Sequence, residues 1–136
     1  MSFGQRHTED EDASLLKLGP DFQNADCLLI SEVKILLETQ RNAKIKENKK
    51  ISDIIQKTLP YTQKFSHFNN QYSAREARKV LSTVELSSFE IAQLGNLGCS
   101  EPAEAKSLIP SLIGKIDDES LDHVLKQLQS INKFQS

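Results

Sequence analysis

Tryptophan is missing from this chain of 136 residues, tyrosine occurs twice, and only 38% of the residues are hydrophobic. Aromatic side chains carry the largest apolar payload, so the core this composition can build is modest. A chain of this length still buries roughly two thirds of its unfolded surface. The expectation is one small domain with part of its apolar surface left for a partner. Long hydrophobic runs are lacking as well, and nothing approaches the ~18 consecutive apolar residues of a membrane span. The opening MSFGQRHTEDEDAS is polar and acidic, unlike a secretory leader or an Arg-rich transit peptide.

Cysteine is scarce. Cys27 and Cys99 stand far apart, and His7, His67 and His123 are scattered, so the close ligand pairs of a zinc site are missing. Sparse thiols fit a reducing compartment, and both read as buried or half-buried side chains. An excess of positive charge is absent too: the net charge is -2, which argues against a general electrostatic grip on nucleic acid. No glycine-rich phosphate loop, G-K-[ST], H-E-x-x-H or C-x-x-C motif occurs. Asp117, Asp118 and Glu119 read as the acidic start of a helix. His67, flanked by Phe65 and Phe68, has no neighbouring nucleophile or acid to complete a catalytic set. The sequence therefore predicts no catalytic residue, metal or cofactor, and a protein that acts by binding.

What the chain does contain is helical periodicity. Residues 1–14 carry the acidic run Glu9 to Asp12 without apolar period and read as disordered. Leu15, Leu16 and Leu18 precede Gly19-Pro20 and read as an extended piece, which needs a sheet to dock on. Asp21 or Asn24 is a candidate cap for a first helix whose apolar positions are Ala25, Leu28, Leu29, Val33, Leu36 and Leu37, widened by Cys27, Ile30 and Ile35. A helix apolar on most sides must be covered on most sides. The basic stretch RNAKIKENKK at 41–50 reads as a solvated helix end and linker.

Ser52 starts a second helix that Pro60 kinks and that continues to about Ser66. Ser73 with Glu76, and Ser87 with Glu90, have capping-box spacing for the third and fourth helices. Gly95 and Gly98 suit close packing and a C-cap. Ser100 caps a fifth helix whose Ala105, Leu108 and Ile109 face inward. Asp117 caps a last helix with the stripe Leu121, Val124, Leu125, Leu128 and Ile131, closed by Phe134. The fold class is all-α.

Three stretches carry a resemblance: LLISEVKILLE at 28–38, KTLPYTQKFSHF at 57–68 and FEIAQLGNLGCSEPAEAKSLIPSL at 89–112. Together with the acidic start of the last helix, they resemble the fourth-subunit family of eukaryotic RNA polymerase II, in the same order over about residues 10–136. The linker after the first helix is short where some members carry a long charged insert. The resemblance implies a helical bundle similar to HRDC domains (named after helicases and ribonuclease D) over 49–136, preceded by a partner-binding arm and helix at 15–48. It implies pairing with the polymerase's seventh subunit in a stalk on the polymerase II core, in the nucleus, supporting initiation and contacting accessory factors. Nascent RNA would be met mainly through the partner. The side chains expected on the partner surface are Leu15, Leu16, Leu18, Phe22, Leu28, Leu29, Val33, Leu36 and Leu37. The equivalent stalk subunit of polymerase III or of an archaeal enzyme, and a free nucleic-acid-binding HRDC-type module, are the alternatives.

Overall fold

Polar side chains at the helix starts set much of the architecture. In the computed structural model, which describes residues 10–135, Ser52 Oγ accepts from the Ile55 N–H at 3.3 Å, Asn70 Oδ1 from Ser73 N–H at 2.8 Å, and an Asp117 carboxylate oxygen from Ser120 N–H at 3.1 Å. Ser87 and Glu90 form the reciprocal capping box that their spacing predicts, at 2.9 and 3.2 Å. The helices that result are α1 (Ile30–Lys46), α2 (Asp53–Phe65), α3 (Gln71–Leu81), α4 (Ser88–Leu97), α5 (Pro102–Leu108) and α6 (Asp118–Phe134). Two 3-10 turns, at Ala13–Leu15 and Pro110–Leu112, complete an all-α architecture with no strand among the described residues.

Several boundaries differ from the sequence expectation. The cap of α3 is Asn70 rather than Ser73, which lies buried inside the helix. Glu101 rather than Ser100 is the N-cap of α5, while the Ser100 N–H and hydroxyl both turn to Glu104 Oε1. Helix α2 runs through Pro60 to Phe65; Pro60 and Gln56, whose carbonyl loses its ladder donor, are both exposed. Leu108 and Phe134 are exposed instead of facing inward. Most of the acidic N-terminus, 1–9, lies outside the described residues, but Asp12 to Leu15 form a capped turn in which Asp12 Oδ1 accepts from the Ser14 N–H at 3.0 Å.

Helix α3 packs against α1, α4 and α6, so it occupies the centre. Ala74, Ala77 and Leu81 are its buried side chains, and they meet Leu94 of α4 and the stripe Leu121, Val124, Leu125 and Leu128 of α6 in one core. Helices α1 and α2 pair along their length through Ile55, Leu59 and Thr62 of α2. The buried Glu90 carboxylate ties the start of α4 to the following segment by accepting from Ser111 Oγ and from Lys115 Nζ at 2.8 Å. The C-terminus pins the α2–α3 connection: Asn132 and Gln135 side-chain amides donate to the His67 carbonyl, and Gln135 Oε1 accepts from the Asn69 N–H.

The tightest packing is at Gly95, where the chain of α4 crosses Leu29 and Leu81. A methyl group there would overlap Leu29 Cδ2 and press on Leu81 Cδ1 at 3.1 Å. Gly98, at φ 64°, supplies the left-handed cap that ends the helix. Gly95→Ala is therefore expected to lower stability by about 1–3 kcal/mol despite its better helix propensity. In a Leu29→Ala background, itself about 2–5 kcal/mol less stable, the same change becomes neutral or stabilising. Urea unfolding of the two single variants and the double variant checks this coupling.

Candidate partner-binding surface

The entry to α1 is built from side chains far away in sequence. Residues 25–29 are not helical, and three distant polar side chains and the nearby Glu32 claim the backbone around the helix start. Ser88 Oγ accepts from the Cys27 N–H at 2.7 Å, Arg78 Nη2 donates to the Cys27 carbonyl at 3.2 Å, and Asn96 Oδ1 accepts from the Ile30 N–H at 2.8 Å. Glu32 Oε1 accepts from the Leu29 N–H at 2.7 Å. Leu29, not Asp21 or Asn24, is thus the N-cap residue, and Leu28 precedes the helix. The expectation failed here because these partners are not readable from local spacing.

Glu32 and Arg78 form a two-pronged ion pair between α1 and α3, with Arg78 Nη2 to Oε1 at 2.6 Å and Nε to Oε2 at 3.0 Å. Burial pushes the Glu32 carboxyl up, but the hydrogen bonds from Arg78 and the Leu29 N–H outweigh it and hold the group below its ordinary value. Glu90 is likewise pushed up by burial and brought below its usual range by Lys115, Ser111 and the Ser87 N–H.

The arm before this point is a turn that closes on itself. Asp12 and Lys17 exchange backbone hydrogen bonds at 2.8 and 3.0 Å, and Leu16 sits at φ 60°. Gln23 receives the Leu18 N–H and donates to the Leu16 carbonyl. These bonds satisfy the segment locally, so Leu15, Leu16 and Leu18 are not the extended strand that the sequence suggests. The turn at 13–15 lies beside the one at 110–112.

The nine side chains expected on the partner surface separate into three groups. Leu15, Phe22, Leu28 and Leu36 stand 62, 65, 46 and 52% exposed. Leu16, Leu18, Val33 and Leu37 are half-buried. Leu29 is a correction: its side chain is fully enclosed in the core with Leu81, Leu94 and Leu125, so its surface is taken up by its own domain. Apolar periodicity cannot separate a residue facing the chain's own core from one facing outward. The same holds for Ile35, packed against the core.

A cavity of about 280 Å³ opens between α4 and α6, lined by His67, Gly98, Cys99, Leu125 and Asn132 among others. His67 Nε2 is bonded to the Asn96 carbonyl at 2.9 Å, and burial, reinforced by Glu104, pushes the Cys99 thiol up. The lining thus offers a protonated thiol and no activated nucleophile.

Acid should loosen the α1 entry. Both carboxyls are more acidic folded than unfolded, so their contribution is complete above an unfolded value of roughly 4.3 and is lost as pH falls through the lower folded values. Thermal melts between about pH 6 and pH 3 are expected to show a falling midpoint, flattened in Glu32→Gln. Arg78→Met at neutral pH should cost about 2–3 kcal/mol and speed amide exchange at Cys27, Leu29 and Ile30 ahead of the α6 core.

The family model described as RNA polymerase Rpb4 matches residues 27–132. The DNA-directed RNA polymerase II subunit rpb4 of Schizosaccharomyces pombe is 41% identical over 129 residues, covering 93% of this chain and 95% of that protein. The Dictyostelium discoideum subunit of the same name is 40% identical over 93% of this chain and 92% of its own length. The Arabidopsis thaliana DNA-directed RNA polymerase II subunit 4 is 34% identical over 93% of this chain and 97% of its own. The match takes in α1 to α6 and begins at Cys27, where the Ser88 and Arg78 side chains first seize the backbone. On this evidence the chain belongs to the RNA polymerase Rpb4 family.

Proposed function

We propose that this Rpb4-family chain is a non-catalytic subunit of RNA polymerase II, acting in the nucleus by binding. It pairs with the seventh subunit through the arm and the outer side of α1, and the pair forms a stalk on the polymerase core that supports initiation. Within it, the helical domain is HRDC-like, and nascent RNA is met mainly by the partner. The observation that carries this reading is the family membership of a chain in which four large apolar side chains of the arm and α1, Leu15, Phe22, Leu28 and Leu36, remain exposed while the domain's own core is closed.

Exposed apolar side chains are ordinary one at a time, but four within a short stretch of sequence next to a rigid helix entry suit an obligate partner. Burying each contributes ~1.5–3 kcal/mol, enough to hold a heterodimer after the costs of association and side-chain ordering. The net charge of -2 agrees with a role in which phosphate contacts are left to other subunits.

Co-expression with a tagged seventh subunit tests the pairing. Phe22→Asp with Leu36→Asp is expected to abolish co-purification while leaving the helical circular dichroism of the isolated chain unchanged, since both positions are exposed. Recovery of an intact pair from the double variant would remove this face from the interface. Leu29→Asp is unsuitable, because a charge in the core unfolds the chain whatever its partners.

A further inference from the structure

Helix α2 presents a second apolar stripe that the core does not use. Ile55, Leu59 and Thr62 face α1 and are buried, whereas Ile54, Tyr61 and Phe65 are 75, 57 and 46% exposed. With Thr58 they recur at i, i+4, i+7 and i+11, a straight row of about 16 Å turned roughly 90° from the buried one. At its C-terminal end the row runs into a groove of about 420 Å³ whose far wall is Gln93, Asn96 and Leu97 of α4.

The charges around this row are mainly positive. Lys57 and Lys64 stand exposed along its outer edge, and neither is held in an ion pair among the described residues. Asp53, at the helix start, is the one acid of α2. Lys64 is the one charged residue lining the groove. An apolar row flanked by unpaired cations on an otherwise acidic protein is complementary to an acidic amphipathic segment.

We propose that this face of α2, with Leu97 of α4, docks an acidic amphipathic helix of another polypeptide, about three turns long, laid along Ile54, Tyr61 and Phe65. The row is linear and begins with an aliphatic side chain, as in helix-in-groove recognition. A stacked nucleic acid fits less well. Stacking needs free ring faces, but the Tyr61 and Phe65 rings turn toward each other at 4.8 Å with a 48° tilt, and Lys64 Nζ lies 5.5 Å from the centre of the Phe65 ring. The face is carried by α2 and α4, with α1 contributing Ile30 to the groove, and the proposal does not depend on the pairing with the seventh subunit.

The test uses the full chain. The probes are a labelled peptide of about sixteen residues with Leu and Phe at helical spacing and Asp and Glu elsewhere, a scramble of the same composition, and an oligouridine of similar length. Fluorescence anisotropy is expected to give at least about tenfold tighter binding to the patterned peptide than to the scramble, and about tenfold weaker binding for Tyr61→Ser with Phe65→Ser. Lys57→Gln with Lys64→Gln should weaken binding and reduce its salt dependence. Amide shifts on titrating the unaltered chain should concentrate at Ile54, Thr58, Tyr61, Phe65 and Leu97, which keeps the test independent of whether a variant folds. Equal binding of the scramble, no binding of the patterned peptide, shifts elsewhere, or oligouridine binding that the aromatic variant removes would each overturn the proposal.

Discussion

The ion pair between Glu32 and Arg78 is the constraint on which the rest of the fold's outward-facing half depends. It lies between α1 and α3, half-sheltered from water, and both carboxylate oxygens are engaged: one takes both Arg78 Nη2 and the Leu29 N–H, the other takes Arg78 Nε. The same guanidinium holds the Cys27 carbonyl. A single pair thus fixes where α1 starts, where the preceding chain stops being helical, and how α1 sits on the central helix. Surface ion pairs rarely do as much; bidentate geometry and partial burial make the difference here. Because Leu29 is set by this entry and fills the space above Gly95, the polar clamp and the apolar core are one mechanical unit.

That arrangement also explains how the domain leaves apolar groups outside without losing its own stability. The core closes around Leu81, Leu94, Leu112, Leu121 and Leu125, all fully enclosed. Leu15, Phe22, Leu28 and Leu36 contribute nothing to it, and the turn that carries Leu15 is satisfied by its own hydrogen bonds and by Gln23. On the proposed pairing, an arm already held by its own hydrogen bonds would lose less entropy when its leucines are covered. Among the described residues, the buried Ser31 and Glu90 side chains are used to join segments and cap a helix.

Much of this was legible in the sequence, and the boundary follows the range of the interactions. Most local signals hold in the structure, Ser73 and Ser100 excepted. Ser52, the Ser87–Glu90 box, Gly98 and Asp117 act where their spacing placed them, and the stripe of α6 faces the core at Leu121, Val124, Leu125 and Leu128. Long-range signals were not legible. The start of α1 is set by Arg78, Ser88 and Asn96, more than 40 positions away, and no local pattern announces them. Leu29 looks like its neighbours on a helical wheel, yet it lies before the helix, with extended backbone at its own position, and its side chain meets Gly95. The expected strand at 15–18 was an inference from isolated leucines; Asp12 and Gln23 supplied the competing local bonds that fold it into a turn. Asn70 displaced Ser73 as the cap because its Oδ1 accepts from the Ser73 N–H, so that the helix starts three residues earlier.

The central claim is that the arm and the outer side of α1 form the surface by which this subunit is held, with the α3–α6 core serving as its support. Hydrogen–deuterium exchange of the chain alone and in complex with the seventh subunit measures this directly, without any substitution. The account predicts new protection at residues 13–28 and along the exposed side of α1 around Leu36, with α5 and α6 unchanged. Protection confined to α4, α5 or α6, with the arm exchanging as fast as in the free chain, would contradict it.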